Sequence, residues 1–297
     1  MARGIHLNTG VTRKINKVYV GINGTAKRVK QVYVGINGVP KPIWQLAEDG
    51  QQIFTSSGTF TVPDGVHKVD IFCVGGGGRA GTSYKNSLYN HVGSGGGGGA
   101  GGYTKTMLGV ELTQPSYAII VGASGGTSSF GSICSAAGGG HGSDYGNTNE
   151  YNSKLGYITS GGAGGIGGSA GGSAGFYYDM DDYTGTVTPT PGASNGADAA
   201  HAAATVSGTM IYVTGGTGQG STTRAFGETN GTLYSPGSGG KSQSGAAAGT
   251  GAGVTGANSG AGCSENTNVY KERNITYYET TTGYSGIVIV RWKANEQ

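Results

Sequence analysis

Between residues 161 and 169 the chain reads Gly-Gly-Ala, Gly-Gly-Ile, Gly-Gly-Ser, so its glycines repeat with a period of three. A polyglycine II helix is left-handed and extended, has three residues per turn and forms no internal hydrogen bonds. Its backbone N–H and C=O groups therefore need partners on neighbouring segments, and only glycine lets the backbones approach closely enough. The repeat predicts a bundle of packed polyglycine II helices, and the alternative is a set of flexible loops.

Glycine is concentrated in blocks rather than spread evenly, and it makes up 64 of the 297 residues. With only 7 prolines and no strict Gly-X-Y period, the chain cannot be a collagen. A conventional helical protein is also excluded, because glycine inside a helix costs about 1 kcal/mol relative to alanine. The blocks lie at 75–78, 93–102, 138–142, 161–175, 215–220, 237–240 and 245–262.

The first 45 residues contain a 14-residue repeat. The heptapeptide Val-Tyr-Val-Gly-Ile-Asn-Gly occurs at 18–24 and again at 32–38, and a weaker copy precedes them. Val-Tyr-Val favours strands, and Asn-Gly supplies the two positive φ angles of a type I′ turn. Each copy therefore predicts a β-hairpin. Because one such unit has too little core to stand alone, the repeats are expected to attach the chain to a larger assembly or to form a structural cap.

Charge separates this repeat region from the rest of the chain. Residues 1–44 contain eight basic residues and no acidic one, whereas the remainder contains 11 basic and 16 acidic residues. Nucleic-acid binding is disfavoured, because aromatic residues are sparse among the basic ones and no known binding motif is present. A basic docking surface is the better interpretation. The candidate attachment residues are Arg13, Lys14, Tyr19, Lys27, Arg28 and Tyr33.

Apolar, β-branched stretches in the remainder predict strands that are interrupted by long insertions. The clearest pair is 59–62 and 68–74, separated by a Pro-Asp-Gly turn. Residues 46–52 read as a polar connector. The predicted fold is mainly β, with a hairpin module at 1–45, a β-sandwich with a polyglycine II bundle at 46–297, and almost no α-helix. The other strands are predicted at 103–112, 117–121, 129–135, 209–214 and 286–292.

Five polar insertions, near 79–92, 141–159, 176–206, 219–236 and 263–285, contain 13 of the 18 tyrosines. Tyrosine offers a large amphipathic contact area at low entropy cost, and Ser, Gly and Asn add adaptable hydrogen bonds. The insertions are therefore predicted to be loops that bind a sugar or a protein; the alternative is that their tyrosines cap the glycine helices. The candidates are Tyr84, Tyr89, Tyr145, Tyr151, Tyr177, Tyr178, Asp179, Asp181, Asp182, Tyr183, Tyr277 and Tyr278.

Signatures of chemistry are weak, and no catalytic residue, metal site or cofactor is predicted. A GxGxxG match at 76–81 lacks the following apolar helix that a dinucleotide site needs. The acidic cluster at 179–182 is interpreted as a solvated loop, because Ca²⁺ requires six to eight oxygen ligands. The cysteines Cys73, Cys134 and Cys263 are odd in number and far apart, so they indicate neither a disulfide framework nor zinc.

Three stretches together resemble the glycine-rich domain of bacteriophage tail proteins. They are 60–78, which ends in four glycines, 125–140, and the closing strand 286–292. The Val-Tyr-Val-Gly-Ile-Asn-Gly repeat is similar to N-terminal modules of tail proteins in phages of Gram-positive hosts. The resemblance implies a receptor-binding adhesin at the tail tip or fibre, in which a polyglycine II bundle presents variable loops to the host surface.

On this resemblance the chain is made in the host cytoplasm, assembles into the virion and acts at the host cell surface. Its expected partners are a bacterial surface glycan or protein and other tail or baseplate proteins, with neither nucleic acid nor membrane insertion. A homotrimer is compatible with the resemblance. Two alternatives stay open, namely a structural tail component that binds no receptor and a carbohydrate-degrading tail enzyme, although the chain is expected not to be an enzyme.

Overall fold

A computed structural model shows that the described residues are mainly β-strands and extended glycine segments. Its described part contains no helix of the length and apolarity needed to cross a membrane. The residues it describes are 6–8, 12–14, 19–45, 48–86, 92–94, 96–144, 146–152, 156–160, 164–171, 176–179, 204–207, 210–213, 218–219, 223–238, 257–262, 266–272, 275–280 and 282–293.

The repeat region forms three separate two-stranded antiparallel hairpins, as the repeat predicts. Asn23 and Gly24 have φ angles of 51° and 73°, and Asn37 and Gly38 have φ angles of 53° and 76°. These positive values at both central positions confirm the expected type I′ turns. The strands are β1 (His6–Asn8), β2 (Thr12–Lys14), β3 (Tyr19–Ile22), β4 (Thr25–Arg28), β5 (Gln31–Ile36) and β6 (Val39–Gln45).

Two four-stranded antiparallel sheets pack face to face and confirm the predicted sandwich. The first has the strand order β12 (Thr104–Glu111), β9 (Lys68–Val74), β23 (Ile287–Trp292) and β7 (Gly50–Phe54). The second has the order β15 (Cys134–Ala136), β14 (Ser128–Phe130), β13 (Ser116–Ile120) and β8 (Gly58–Thr61). Their core includes Phe60, Ile71, Phe130, Val288 and Val290.

Strands β9 and β23 are covered on both faces, which explains their continuous apolar runs. The outer face of the first sheet packs Phe72 and Ile289 against Phe226, which belongs to a 3₁₀ turn at Ala225–Gly227. The Arg291 guanidinium lies 3.8 Å from the Phe226 ring centre, and its Nε is 3.1 Å from Asp70 Oδ2. This second hydrophobic cluster, on the outer face of the first sheet, is therefore bordered by Arg291, which makes a cation–π contact with Phe226 and an ion pair with Asp70.

Three sequence expectations for this region are wrong. The polar connector expected at 46–52 is wrong at its end, because residues 50–52 belong to the edge strand β7 (Gly50–Phe54), which pairs with β23. The expected strand at 129–135 is instead the hairpin β14–β15, because Gly131 takes a φ of 50° between them. The predicted strand at 209–214 exists as β20 (Met210–Val213), but it belongs to another sheet rather than to the sandwich.

The glycine segments 75–81, 97–103 and 137–143 lie side by side and confirm the predicted packing. Each segment donates backbone hydrogen bonds to the next at intervals of three residues, with N···O distances of 2.8–3.0 Å. The three segments donate in a closed cycle, which is the arrangement expected of neighbouring polyglycine II helices. The donor–acceptor pairs are 75→103, 78→100 and 81→97, then 97→143, 100→140 and 103→137, then 139→76 and 142→79.

The close approach of these segments leaves no room for side chains at the contacts. A Cβ placed on Gly75, Gly78 or Gly81 would overlap the backbone carbonyl of residue 137, 140 or 143 respectively. Segments 164–171, 235–238, 259–262 and 283–286 join the bundle through similar backbone bonds. Serine takes the place of glycine where its hydroxyl reaches a carbonyl, as Ser238 Oγ does at 3.1 Å from Gly99 O.

Replacing Gly78 with alanine should destabilise the fold by about 3 kcal/mol or more, because the new methyl group would meet rigid backbone. The matched control is Gly58→Ala, where a Cβ meets nothing within 4 Å; it should change stability by no more than about 0.5 kcal/mol. Urea unfolding of the two variants measures the difference. Equal stability for both would show that the bundle tolerates side chains and would contradict the packed arrangement.

Candidate functional site

Three of the five tyrosine-bearing insertions, 79–92, 176–206 and 263–285, expected to be loops, instead contain strands that meet in one seven-stranded antiparallel sheet, called here the tyrosine sheet. They form strands because short runs such as Phe-Tyr-Tyr and Ile-Thr-Tyr-Tyr combine β-branched and aromatic residues. The strand order is β19 (Ala204–Ser207), β20, β18 (Phe176–Asp179), β11 (Val92–Ser94), β10 (Ser83–Asn86), β22 (Ile275–Thr280) and β21 (Asn266–Glu272).

The register of the tyrosine sheet places three tyrosines in one row across adjacent strands. Tyr84 of β10 is opposite Tyr277 of β22, and Tyr277 is opposite Tyr270 of β21. Adjacent strands in a sheet are about 4.8 Å apart, so this row spans about 10 Å. Beyond Tyr84 the row continues through Ser94 to Phe176, which adds a fourth aromatic residue to it.

Neighbouring rows differ in composition. Alternate residues along a strand belong to opposite faces of a sheet, so the Tyr84 row shares its face with the row two residues further along. That second row is mostly apolar and contains Ile275, Val92, Tyr178, Ile211 and Val206. The row between them belongs to the other face and contains Lys271, Thr276, Lys85, Tyr177, Tyr212 and Thr205. The Tyr84 row and the second row are therefore mostly aromatic and aliphatic, whereas the row between them contains two lysines and two threonines.

The structure brings together half of the residues proposed for binding. Tyr84, Tyr177, Tyr178, Asp179, Tyr277 and Tyr278 all lie in the tyrosine sheet. Tyr151 lies in a separate hairpin formed by β16 (Gly146–Asn152) and β17 (Gly156–Ser160), where it is opposite Tyr157. Tyr89, Tyr145, Asp181, Asp182 and Tyr183 lie outside the described residues. No finding tests the role of any of these residues, which stays a prediction.

Sequence reasoning missed Tyr212 and Tyr270, which the register places opposite Tyr177 and Tyr277. Two signals were available to find them. Tyr212 lies in the apolar run 209–214, which was assigned to the sandwich. Tyr270 lies just before the polar dipeptide Arg273-Asn274, which strand-favouring residues flank on both sides. Two such runs around a short polar turn indicate a hairpin.

A polar cluster connects the tyrosine sheet to the glycine bundle. The Arg79 N–H donates to His141 Nδ1 at 2.9 Å, and the Thr82 N–H donates to Asp144 Oδ1 at 2.7 Å. Arg79 lies in segment 75–81 and Thr82 immediately precedes β10, whereas His141 lies in segment 137–143 and Asp144 directly follows it. The His141 and Asp144 side chains therefore accept hydrogen bonds from backbone N–H groups at the boundary between the bundle and the sheet. These bonds fix the position of the start of β10.

The attachment residues proposed in the hairpin module are paired by the fold. Tyr19 is opposite Arg28, and both Tyr19 and Tyr33 are more than half exposed, at 56% and 53%. Lys27 is opposite Val20, which is also exposed. Arg13 and Lys14 lie in β2. In this hairpin the basic residues of one strand are thus opposite an aromatic and an apolar residue of the other, and the attachment role stays a prediction.

Among the residues that the structure describes, no three His, Cys, Asp or Glu side chains lie close enough together to hold a metal ion.

Residues 55–293 match the family model described as a glycine-rich domain, and this match covers most of the chain. The protein therefore belongs to the glycine-rich domain family, which agrees with its β-rich, glycine-bundled architecture. A search among curated proteins finds no match to the chain.

The polar cluster predicts a pH dependence of stability. Burial, with the nearby Arg79 charge, lowers the pKa of His141, so the folded state favours the neutral imidazole that accepts the Arg79 N–H. An unfolded histidine protonates near pH 6.5. This contribution to stability is therefore present above about pH 6.5 and is lost as the pH falls through the lower pKa of the folded state.

Thermal unfolding at about pH 7.5 and about pH 5.0 should show this effect. His141→Asn is the informative variant, because the Asn oxygen can still accept the Arg79 N–H but does not titrate. The thermal midpoint of the native chain should fall more between the two pH values than that of the variant. An identical fall in both proteins would assign the pH dependence to other groups.

Proposed function

We propose that the chain is a non-enzymatic receptor-binding protein of a bacteriophage tail, and that the tyrosine sheet contacts a glycan or protein on the bacterial surface. The observation that carries this proposal is the convergence of separate insertions on one aromatic-rich sheet. Rows of tyrosines on adjacent strands combine flat apolar rings with hydroxyl groups, which suits both sugar rings and polar protein surfaces.

The connections of the glycine bundle support separate roles for the tyrosine sheet, which binds, and the sandwich, which anchors it. Segment 75–81 joins β9 of the sandwich to β10 of the tyrosine sheet, and segment 97–103 leads from β11 back to β12. At about 3.1 Å per residue, seven residues span about 20 Å. The bundle therefore acts as a spacer between a conventionally packed core and the proposed binding surface, and its cross-bonded backbones make that spacer stiff.

The hairpin module supports a second contact, with the rest of the tail. Its exposed tyrosine, valine and isoleucine side chains need a covering surface, and its basic residues favour an acidic one. We propose that this module attaches the chain to a tail or baseplate protein. The chain then reaches the host surface as part of a virion.

A cell-binding assay tests the receptor-binding role. Fluorescently labelled protein is incubated with intact cells from a panel of bacterial strains, with and without enzymatic removal of the wall glycan. Replacing Tyr84, Tyr270 and Tyr277 with serine should weaken binding about thirtyfold or more, because truncating even one aromatic residue at the centre of an interface costs about 2 kcal/mol or more. The matched control is Tyr284→Ser, which removes a tyrosine that is 40% exposed in the bundle, outside the tyrosine sheet.

Three results would contradict this assignment in different ways. Binding to no strain in the panel would favour the structural tail component. Release of reducing sugars from envelopes would favour the carbohydrate-degrading enzyme. Binding that survives the triple substitution would move the contact away from the Tyr84 row. Loss of binding after wall-glycan removal would identify the receptor as a glycan, and its retention would favour a protein.

Charge reversal tests the attachment role separately. Lys27→Glu with Arg28→Glu should reduce the amount of the chain in purified virions several-fold, as measured by immunoblot, while binding of the free protein to cells stays unchanged. Lys105→Glu with Lys293→Glu, two exposed lysines outside the hairpin module, makes the same change in net charge and is the control. A chain that is absent from virions even when unmodified would refute the tail assignment, whereas normal incorporation of the doubly reversed variant would refute the attachment surface.

A further inference from the structure

Two of the three cysteines lie together in the core, although 61 positions separate them in the sequence. Cys73 is on β9 of the first sandwich sheet and Cys134 is on β15 of the second, and both side chains are almost fully buried in the same hydrophobic cluster. Cys134 Sγ lies 4.0 Å from the carbonyl oxygen of Lys105, and Lys105 is the register partner of Cys73. A side-chain hydrogen bond joins the Cys73 and Cys134 thiols.

We propose that Cys73 and Cys134 form an intramolecular disulfide when the folded chain meets a low-molecular-weight disulfide such as oxidised glutathione. The two thiols belong to one packed cluster between the sheets and are hydrogen-bonded to each other, so bridging requires a change of side-chain torsion rather than movement of a domain. The bond would link β9 to β15 directly. Sequence reasoning missed the pair, because the spacing of the two cysteines gives no sign that they meet.

The location of the pair explains how an oxidant reaches it. Strand β15 is only three residues long and is the edge strand of its sheet, paired with β14 alone in the described chain. A short edge strand opens at low free-energy cost compared with global unfolding. Cys134 can therefore be exposed by local opening, whereas Cys73 lies on β9 between β12 and β23 and stays in place.

The chemistry of the two thiols indicates the order of events. The hydrogen bond with Cys73 lowers the pKa of Cys134, and the same contact, with burial, raises the pKa of Cys73. The Cys134 thiolate attacks one sulfur of oxidised glutathione and releases one molecule of glutathione. The Cys73 thiol then loses its proton, attacks the Cys134 sulfur of the mixed disulfide and releases the second. The protein loses two protons and two electrons, and one oxidised glutathione becomes two reduced ones.

The bond would lie at the base of the glycine bundle. Two residues beyond Cys73, Gly75 meets Ala137, which is three residues beyond Cys134. The disulfide would therefore fix the starting points of two neighbouring glycine segments relative to each other. It would also close a loop that contains β10, β11 and segment 97–103, and closing a long loop stabilises a fold by restricting the unfolded chain.

Oxidation of the purified full-length chain tests the proposal. After incubation with oxidised glutathione, thiols titrated in denaturant should fall from three to one, and non-reducing peptide mapping should find a Cys73–Cys134 crosslink. The thermal midpoint should rise by roughly 5 to 10 °C relative to the reduced protein. Incubation a few degrees below the midpoint allows the edge strand to open.

Two variants make the test specific. Cys263→Ser should keep the crosslink and the thermal shift, and Cys134→Ser should lose both. If Cys134→Ser fails to fold, the peptide map of the native chain still decides the question. The proposal is overturned by thiols that all remain free, by glutathione that stays attached without a crosslink, or by a crosslink that includes Cys263. None of these outcomes depends on what the protein binds.

Discussion

The fold depends on backbone hydrogen bonds between glycine segments that approach too closely for side chains. The N···O distances between segments 75–81, 97–103 and 137–143 are 2.8–3.0 Å, and the same spacing would bring a Cβ into a neighbouring carbonyl. The two facts have one cause, because a bond of this length brings two extended backbones into contact. Glycine loses more conformational entropy on folding than any other residue, and the shared network of bonds offsets that loss.

A bundle without side chains has few means of fixing its own register. A glycine segment that slips by three residues makes equivalent hydrogen bonds, so the register must come from the elements at its ends. The sandwich provides these at one end, because β9 and β15 lead directly into glycine segments and their residues belong to one packed core. At the other end, the contacts of Arg79 with His141 and of Thr82 with Asp144 fix the register of segments 75–81 and 137–143 relative to each other.

Local chemistry made much of this architecture predictable. Asn-Gly marks the hairpin turns at 23–24 and 37–38 because few other residues accept two positive φ angles, and the period of three at 161–169 indicates the glycine packing. What escaped prediction is long-range pairing. Nothing near Gly50–Phe54 signals that β23 would take it as an edge partner. Likewise, Tyr84 and Tyr277 are 193 positions apart, and only the bundle between them brings their strands together.

The placement of tyrosines on strands rather than loops changes the energetics of the proposed binding. A loop that orders when it binds loses backbone and side-chain entropy, which weakens the affinity. Strands in a hydrogen-bonded sheet have already lost the backbone part of that entropy when the protein folds. Substitutions along the rows of the tyrosine sheet then alter the binding surface without touching the glycine contacts, which depend on backbone atoms. A scaffold stabilised by its backbone therefore allows the side chains of the tyrosine sheet to vary freely, and such freedom suits the proposed role in binding a bacterial surface.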